Sequence, residues 1–549
     1  MLVSIDKTTL FTFLLWLLLA VLIVWLWLRI WYFRLVFDAR SQIYHLEGKT
    51  VPGSFPRMLL GNLVDVYRSR NRLSAYHLFH QQFGEIVQIF WMWRQQISVT
   101  NYQMIRHILV DNQKNYAKFP PNSLIQRLYG NSVLTNNGDE WKRHRLLLNE
   151  VFSKQQVASF HEIFVDYSEQ LANKWNGYIK KSGESAEVNI YPQLLALFLD
   201  IVAKVAIGQD FEALQGEAHE FLQHLKYIVH QSTRPVHQFT NWWKYLPLPS
   251  NRKLEQAFVA IDDFLDRLIR QRAEMFDPDS SNVLDLLLQA KNSLETELQP
   301  LTDREVRDNL LAIIINGHET VATSVSISLY LLAQHPEKLA RAQAEVDQIM
   351  DREQGKLTEA GLSELDYLNS VVIESLRLCP PMAGLQRISS DRDVLEGWSI
   401  PALQVVGITL MPLHQNPEYF GEQPEQFHPE RYLDDEDEAK NALIDVDNAT
   451  QSFKQCPFSR FVTPDPKSNS RRTKASVYFP LTFGDGARKC LGEHFAMYEM
   501  KVALFVLLYY FDFQVAPNFE AELELGKFGL FLTTFPKGGV EMVISRRVH

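Results

Sequence analysis

Eighteen consecutive residues without a charge, residues 11–28, read FTFLLWLLLAVLIVWLWL near the start of the chain. At a rise of about 1.5 Å per residue, a helix of this length spans roughly 27 Å, close to the hydrocarbon core of a bilayer. Aromatic side chains that favour the membrane interface crowd its far end, namely Trp25, Trp27, Trp31 and Tyr32. A cleaved signal peptide is the alternative, but the stretch is long and no small-residue cleavage site follows it. The sequence therefore predicts an uncleaved membrane anchor over residues 1–33.

The charges on the two sides of this stretch predict its orientation. The basic residues Arg29, Arg34 and Arg40 follow it, whereas Lys7 beside an acidic residue precedes it. Because positive charge is retained on the cytoplasmic side, we expect the large body in the cytosol, at the endoplasmic reticulum if the cell is eukaryotic. No later stretch is comparably long and uncharged, so a single pass is expected. Residues 34–62, which contain Pro and Gly, are interpreted as a hinge.

The rest of the chain has the composition of a packed globular protein. Hydrophobic residues make up 46% and charged residues 22% of the 549 residues, which excludes wholesale disorder. The net charge of −10 argues against a nucleic-acid-binding protein that works through a basic surface. The three cysteines include no C-x-x-C pair, so neither a disulfide scaffold nor a Cys-rich zinc module is expected.

The order of sequence patterns predicts a mainly α (α+β) body over residues 63–549. Residues 85–99 are rich in β-branched and aromatic side chains and predict a hairpin, and helical periodicity follows from about residue 101 to 378. Within it, residues 303–334 predict one long helix, and short strands return after Pro380. Residues 434–476 carry opposed charge blocks and few apolar side chains, which favours a flexible surface insertion over a docking element.

Cys490 lies in the decapeptide FGDGARKCLG, residues 483–492. Glycines allow close backbone approach, Arg488 adds positive charge, and a helix beginning just after Cys490 would direct N–H groups at the sulfur. A lone cysteine can instead be a small buried hydrophobe. The decapeptide, however, resembles the haem-ligand signature F-x-x-G-x-R-x-C-x-G of the cytochrome P450 family. The resemblance implies a P450-type fold with haem b (iron protoporphyrin IX), Cys490 as axial ligand of the iron, and Phe483, Gly486 and Arg488 around the cofactor.

Two further elements resemble structural landmarks of that family. Glu374 and Arg377 form E-x-x-R on one face of a predicted helix, and Arg431 lies in FHPERY, similar to the family's F-x-P-x-R element. Taken alone, such a Glu–Arg pair is commonly a solvent-exposed ion pair on a helix surface. The resemblance implies that the three side chains form a buried triad that fixes the chain beneath the haem.

Cationic side chains upstream resemble the family's contacts to the haem propionates. Trp141 and Arg145 form W-x-x-x-R and lie one helical turn apart. The alternative to a propionate contact is that they are simply an aromatic residue and a surface arginine on an amphipathic helix. A guanidinium suits bidentate binding of a carboxylate, so the resemblance implies a propionate contact. Arg387, after Pro380 and Pro381, is a further propionate candidate.

The long predicted helix contains NGHET, residues 316–320, which resembles the family's oxygen-binding groove. The resemblance implies that Gly317 lets the helix open to dioxygen and that Glu319 and Thr320 relay protons. The rival zinc motif H-E-x-x-H fails because Ala322 stands where the second histidine is needed. Asn316 departs from the Ala or Gly usual in the family, and the sequence leaves open whether it contacts substrate, water or backbone.

The resemblance implies a monooxygenase that inserts one oxygen atom from O2 into a lipophilic small molecule. No flavin or nicotinamide signature is visible, so electrons are expected ultimately from NAD(P)H through a separate flavoprotein reductase or ferredoxin. The alternatives are a haem-thiolate isomerase or dehydratase that needs no external electrons, and a haem-based sensor. Largely apolar segments are expected to line the pocket and admit substrate from membrane lipid: residues 119–133, 230–248, 313, 316, 382–385 and 530–533.

Overall fold

The computed structural model describes most of the chain. The described residues are 7–58, 60–68, 72–209, 211–216, 220–232, 234, 237, 242–275, 282–292, 299–421, 423–433, 480–517, 519, 522–525 and 534–549. The predicted insertion at residues 434–476 lies outside them, as do residues 530–533 and part of residues 230–248.

Helices dominate the described residues. In chain order they are α1 Lys7–Gln42, α2 Leu63–Arg68, α3 Arg72–Phe83, α4 Tyr102–Arg106, α5 Ser123–Tyr129, α6 Gly138–Val151, α7 Lys154–Ala158, α8 His161–Ser182, α9 Ile190–Ile207, α10 Glu220–Ser232, α11 Pro249–Glu274, α12 Val283–Asn292, α13 Asp303–Gln334, α14 Pro336–Arg352, α15 Glu359–Ser363, α16 Asp366–Leu378, α17 Leu410–His414, α18 Pro417–Phe420 and α19 Glu493–Tyr510. Short π or 3₁₀ turns cover His107–Asp111, Gln113–Asn115, Ala213–Gln215, Trp242–Tyr245, Pro429–Tyr432, Leu481–Phe483 and Gly486–Arg488.

The strands are short and form small sheets. They are β1 Tyr44–His45, β2 Ile86–Trp91, β3 Arg94–Val99, β4 Tyr116–Lys118, β5 Ser185–Asn189, β6 Gly384–Ser389, β7 Asp393–Leu395, β8 Trp398–Ile400, β9 Val405–Thr409, β10 Phe511–Val515, β11 Glu522–Leu525, β12 Thr534–Lys537 and β13 Glu541–Arg546. Among the described residues the sheet orders are β1-β8-β7, β10-β13-β5, β11-β12 and β2-β3-β9-β6-β4. This helix-rich α+β arrangement with small sheets confirms the predicted fold class.

The chain divides into two compact units, the first of which comprises Met1–Ile108, Lys114–Tyr116 and Gln386–Thr409. Its centre is the β2–β3 hairpin, which the sequence predicts and in which Ile89 pairs with Gln96. Because side chains alternate along a strand, the hairpin is covered on both faces. Val87 and Ile89 pack under α3, and Phe90 packs under α1.

Helix α1 does not end where the apolar stretch ends. It continues through the predicted boundary between anchor and hinge, and its later turns belong to the core of the first unit. Tyr32 and Val36 are fully buried against Phe90, and the Tyr32 hydroxyl donates to the Met92 carbonyl at 3.4 Å. The helix is therefore exposed at its apolar start and packed at its end.

Three described helices are long and apolar enough to cross a membrane, but they differ in burial. Only 6% of the best window in Leu15–Gln42 is buried, against 72% in Ile190–Ile207 and 67% in Asp303–Gln334. The last two are α9 and α13, which pack inside the protein. Helix α1 is the one that fits a membrane anchor.

The second unit comprises Leu109–Gln113, Ala117–Leu385 and Leu410–His549. Helix α13 runs through its core and begins with a capping box, in which Thr302 and Glu305 satisfy each other's backbone N–H groups. It ends before Pro336, because a proline disfavours helical geometry in the preceding residue. Helix α19 packs on α8 through Phe495 and Phe164, whose ring centroids lie 5.2 Å apart.

Candidate functional site

The loop that carries Cys490 is held by backbone hydrogen bonds. The Cys490 N–H donates to the Phe483 carbonyl at 2.8 Å, and Lys489 N–H donates to the Gly486 carbonyl at 3.1 Å. Gly486 has a φ of 67°, and a Cβ there would lie 1.9 Å from the Leu109 carbonyl oxygen. Only glycine fits this close approach, so the spacing of the decapeptide has a direct structural cause.

The Cys490 thiol is exposed, whereas Cys379 is only partly accessible. The sulfur accepts a hydrogen bond from the Gly492 N–H, just before α19 begins. Desolvation by the surrounding protein, followed by Glu493, raises the pKa of the Cys490 thiol, and Arg145 and Lys489 oppose this effect. Burial raises the pKa of Cys379 to about 12. Of these two thiols, only Cys490 is open to a ligand.

Helix α6 brings Trp141 and Arg145 to the same loop. Arg145 Nη1 donates to the Lys489 carbonyl at 2.9 Å, next to Cys490. The Arg488 guanidinium carbon lies 4.0 Å from the centre of the Trp141 ring, and Arg488 Nη2 donates to the Asn136 carbonyl at 2.7 Å. The structure thus brings together Cys490, Arg488, Trp141 and Arg145.

Arg145 has unused hydrogen-bonding capacity that fits an anionic cofactor. Its Nε is buried and has no hydrogen-bond partner among the described residues, and desolvation lowers the pKa of its guanidinium. A buried cation of this kind is costly without a counter-charge. A haem propionate would supply that charge, and the exposed Cys490 sulfur is the soft ligand that haem iron accepts. The residues present therefore fit haem.

Arg387 lies on β6 in the first unit. Its side chain is buried, its Nη1 donates to the Gln386 carbonyl at 2.9 Å, and burial lowers the pKa of the guanidinium to about 10. These surroundings leave it in need of a counter-charge, as at Arg145. Its contact with a propionate stays a prediction.

A short stretch of α13 is accessible although the helix is buried on both sides of it. Residues 316–320, called the accessible stretch below, are partly or fully exposed, whereas residues 314–315 and 321–330 are buried. Thr320 Oγ1 donates to the Asn316 carbonyl at 2.9 Å. Burial raises the pKa of the Glu319 carboxyl, which also faces the Tyr129 and Tyr191 side chains. An open space therefore adjoins the predicted acid–alcohol pair.

Gly317 has a packing role that the sequence does not reveal. A Cβ at this position would lie 2.7 Å from Val202 Cγ2 on α9, so the glycine permits close packing of α13 on α9. Helix α13 is assigned without interruption through this residue. That Gly317 lets the helix open to dioxygen stays a prediction.

The predicted triad residues lie together in the core. Arg377 Nε donates to Glu374 Oε2 at 2.7 Å, and Arg431 Nε donates to Glu374 Oε1 at 3.0 Å. Arg377 also donates to the His414 and Pro424 carbonyls, at 2.7 and 2.6 Å. Glu374 and Arg377 are fully buried. Removing one partner would leave a buried charge uncompensated, at a cost of about 3–5 kcal/mol.

The sequence patterns do not predict a buried polar cluster that lies near the site. His144, next to Arg145 on α6, contacts Glu305 Oε1 at 3.0 Å through Nε2 and Asn309 Nδ2 at 3.1 Å through Nδ1. Asn309 Oδ1 in turn accepts from the Val133 N–H at 2.8 Å. The cluster fixes α6 against α13. Its only sequence signal is a histidine inside W-x-x-x-R, which by itself is uninformative.

The described residues hold no group of three or more His, Cys, Asp or Glu side chains that could bind a metal ion. Ala322 follows the accessible stretch at the position where H-E-x-x-H needs a histidine. The acidic and imidazole groups of this stretch are therefore not arranged as a zinc site.

Known proteins share the sequence pattern and the fold of this chain. The profile of the family described as "Cytochrome P450" matches residues 51–542. The chain is 30% identical to cytochrome P450 97B2, chloroplastic, of Glycine max, over 76% of this chain and 74% of that protein. It is 24% identical to cytochrome P450 3A2 of Rattus norvegicus, over 93% of each.

A solved structure shares the fold. The crystal structure of the cytochrome P450DA heme domain superposes with a TM-score of 0.74 at 20% identity, over 91% of this chain and 98% of that chain. The family match over most of the sequence confirms the resemblance first seen around Cys490. The chain belongs to the cytochrome P450 family and is a haem-dependent monooxygenase.

Proposed function

We propose that this monooxygenase inserts one oxygen atom from O2 into a lipophilic small molecule taken from a membrane. The accessible stretch on α13 is the observation that carries the proposal. It is the part of an otherwise buried helix that opens to a ligand, and it contains Glu319 and Thr320. The exposed apolar start of α1 would keep the protein at the lipid from which such a substrate comes.

In this proposal Cys490 ligates the haem iron. Arg145, Trp141, Arg488 and Arg387 hold the propionates, and Gly486 keeps the Cys490 loop close to the Leu109 backbone. When bound, the haem supplies the iron centre at which dioxygen is activated. The unpartnered Arg145 Nε supports this assignment because it needs a negatively charged acceptor.

Glu319 and Thr320 deliver protons in this scheme. Burial raises the pKa of Glu319, so its carboxyl holds a proton at higher pH than an exposed glutamate would. Thr320 uses its hydroxyl proton on the Asn316 carbonyl, which leaves the lone pairs of Thr320 Oγ1 free to accept. The two side chains are consecutive in a continuous helix and do not face each other. In this scheme a proton leaves the Glu319 carboxyl for a water, and Thr320 Oγ1 orients that water by accepting one of its hydrogen bonds.

Electrons would come ultimately from NAD(P)H through a separate flavoprotein reductase or ferredoxin. The absence of a flavin or nicotinamide signature in the sequence supports a separate donor. The arginines after the apolar stretch support a body on the cytoplasmic side of the membrane. The soybean relative is named chloroplastic, so the proposal is not restricted to the endoplasmic reticulum.

A two-step experiment tests this function. The purified ferric protein is screened for spectral shifts with fatty acids, sterols and terpenoids, and the tightest binder is incubated with a reductase, NADPH and ¹⁸O2. The expected product carries one ¹⁸O atom and forms only with reductant, and Cys490→Ala is the inactive control. Product that forms without reductant or oxygen would instead assign the isomerase or dehydratase class.

A further inference from the structure

Asn316 is the most exposed residue of the accessible stretch, and its side-chain amide can make hydrogen bonds to a ligand. Its Nδ2 donates to the Ala312 carbonyl at 2.7 Å, which leaves a second N–H and the Oδ1. Thr320 has already used its one proton on the Asn316 carbonyl, and the His318 ring contacts the Ile314 carbonyl at 2.9 Å. The hydrogen bond of Asn316 with Tyr129 acts to lower the pKa of that phenol, which assigns the second N–H to Tyr129 and leaves Oδ1 to accept from a ligand.

Tyr129 is buried, and its side chain supports the Asn316 amide. It is the last residue of α5, is only 2% exposed, and makes a side-chain hydrogen bond with Asn316. Since Tyr129 is buried and Asn316 is exposed, a ligand in the open space can reach the amide but not the phenol. The bonds to Tyr129 and to Ala312 fix the amide before a ligand binds.

The segment after Tyr129 is itself anchored on α13. The Asn131 N–H donates to Asp308 Oδ2 at 2.8 Å, and the Val133 N–H donates to Asn309 Oδ1 at 2.8 Å. A Cβ at Gly130 would lie 2.0 Å from Asp308 Oδ2, so the backbone approaches α13 closely at this point. Tyr129 is therefore held in place by its neighbours, and Asn316 faces the open space with little freedom.

We infer that Asn316 recognises a hydroxyl group on an otherwise apolar substrate, with Tyr129 as its positioning residue. The inference rests on the proposed function, because the open space beside Asn316 is the site where that function places the substrate. A fixed amide in an apolar site favours a ligand that pairs with it, since a ligand without such a group leaves the amide unpaired. The substrate class is then an already oxygenated lipophile.

Four azoles test the inference on the full-length holoprotein. 4-Phenylimidazole and its three hydroxyphenyl isomers share an imidazole that coordinates haem iron, and the isomers place one hydroxyl at different positions. Dissociation constants come from the spectral shift. We expect at least one hydroxyl isomer to bind wild type about tenfold more tightly than 4-phenylimidazole, as a hydrogen bond of about 1.4 kcal/mol gives.

The variants separate recognition from folding. In Asn316→Ala, which introduces a residue common in the family, the hydroxyl isomers and 4-phenylimidazole should bind with nearly equal affinity. The affinity for 4-phenylimidazole itself should change little. Tyr129→Phe should reduce the same preference in part, because the amide loses its support. Asn131→Ala is the matched control and should keep the full preference, since Asn131 acts on α13 through its backbone N–H.

Equal binding of all four azoles by wild type, with normal spectral shifts, would overturn the inference and leave the proposed function intact. A preference that survives in Asn316→Ala would overturn it as well. If none of the azoles gave a shift, the haem assignment itself would fail, and the inference with it.

Discussion

The guanidinium of Arg488 lies over the indole of Trp141, with its central carbon 4.0 Å from the ring centre. The contact joins the Cys490 loop to α6, and Arg488 Nη2 also donates to Asn137 Oδ1 at 2.9 Å. One side of the arginine is therefore fixed by the protein. A guanidinium fixed in this way suits the charge-assisted binding of an anion such as a carboxylate.

Replacing Trp141 by Leu should weaken haem binding. The change removes the aromatic face under Arg488, worth about 1 kcal/mol, so haem should dissociate roughly fivefold faster. The measurement is the rate of haem transfer to apomyoglobin. Lys142→Ala, a change at the exposed neighbour, is the control and should transfer haem at the wild-type rate. An unchanged rate in the Trp141 variant would remove Trp141 and its contact from the cofactor site.

Replacing Cys490 by Ser should abolish the thiolate-type absorption band of the reduced carbon-monoxide complex. The exposed sulfur is the proposed iron ligand, and a serine hydroxyl does not replace a thiolate. Cys379→Ala is the control, because its partly accessible thiol packs against the core. A normal band in the Cys490 variant would refute the assignment.

In Thr320→Ala, reductant should be consumed without a matching amount of product. Substrate binding should persist, but hydrogen peroxide should rise and product should fall, because the hydroxyl that orients the proton-carrying water is lost. Ser328→Ala removes the same kind of bond to the carbonyl four residues back, here Ser324 O at 2.9 Å, in a buried part of α13. It should keep wild-type coupling. Equal coupling in the two variants would remove Thr320 from proton delivery.

Glu319→Gln should slow product formation by roughly 10²–10⁴-fold if the carboxyl supplies the proton. The raised pKa of Glu319 also predicts the direction of the pH dependence. An acid donates while protonated, so the coupled rate should fall as pH rises through that raised pKa. The Gln variant should lack this decline, and the check is product formed per reductant at several pH values.

Deleting residues 1–33 should remove the anchor and also part of the core of the first unit, because Tyr32 packs on Phe90. Deleting residues 1–30 keeps Tyr32. A carbonate wash should release both shortened proteins from membranes, and both should bind haem. The longer deletion should have a free energy of unfolding about 2 kcal/mol lower than the shorter one. Equal stability of the two forms would show that the end of α1 contributes nothing to the core.

The first unit should lose stability in acid through His80. Its Nδ1 contacts the Gly84 carbonyl and its Nε2 the Ser98 hydroxyl, each at 2.8 Å, and burial lowers the pKa of the ring to about 4. The unfolded chain gains a proton near pH 6.5, before the folded one, so stability falls as pH drops from about 6.5 to 4.

At about 1.4 kcal/mol per pKa unit, the loss at His80 amounts to about 3 kcal/mol. His80→Gln should reduce the difference between urea unfolding at about pH 7 and about pH 4.5, because glutamine takes up no proton. The same pH difference in the variant and in wild type would exclude His80 as its source.

Patterns that depend on nearby residues were predictable from the sequence. Helix α13 has the expected bounds, because Thr302 caps its start and Pro336 follows its end. The Cys490 decapeptide is recognisable within ten residues, although the backbone that requires a glycine at position 486 is that of the distant Leu109. The limits of α13 have their physical cause a few residues away, where a single sequence can reveal it.

Features that depend on packing between distant segments were not predictable. Nothing beside Gly317 indicates that Val202 on α9 requires it to be small. Nothing beside Asn316 indicates that Tyr129 on α5 supports it. The predicted boundary at residue 33 follows the end of the apolar pattern, whereas the end of α1 depends on its contact with Phe90.

Because α1 is one continuous helix, it couples the orientation of the first unit to the orientation of the apolar end of the helix. Residues between Leu28 and Tyr32 connect an exposed apolar segment to a packed end within one continuous helix. Each added residue would turn the first unit by about 100° about the helix axis and raise it by about 1.5 Å. If the apolar end of α1 spans a bilayer, the rotational phase of this helix sets which side of the first unit faces the lipid.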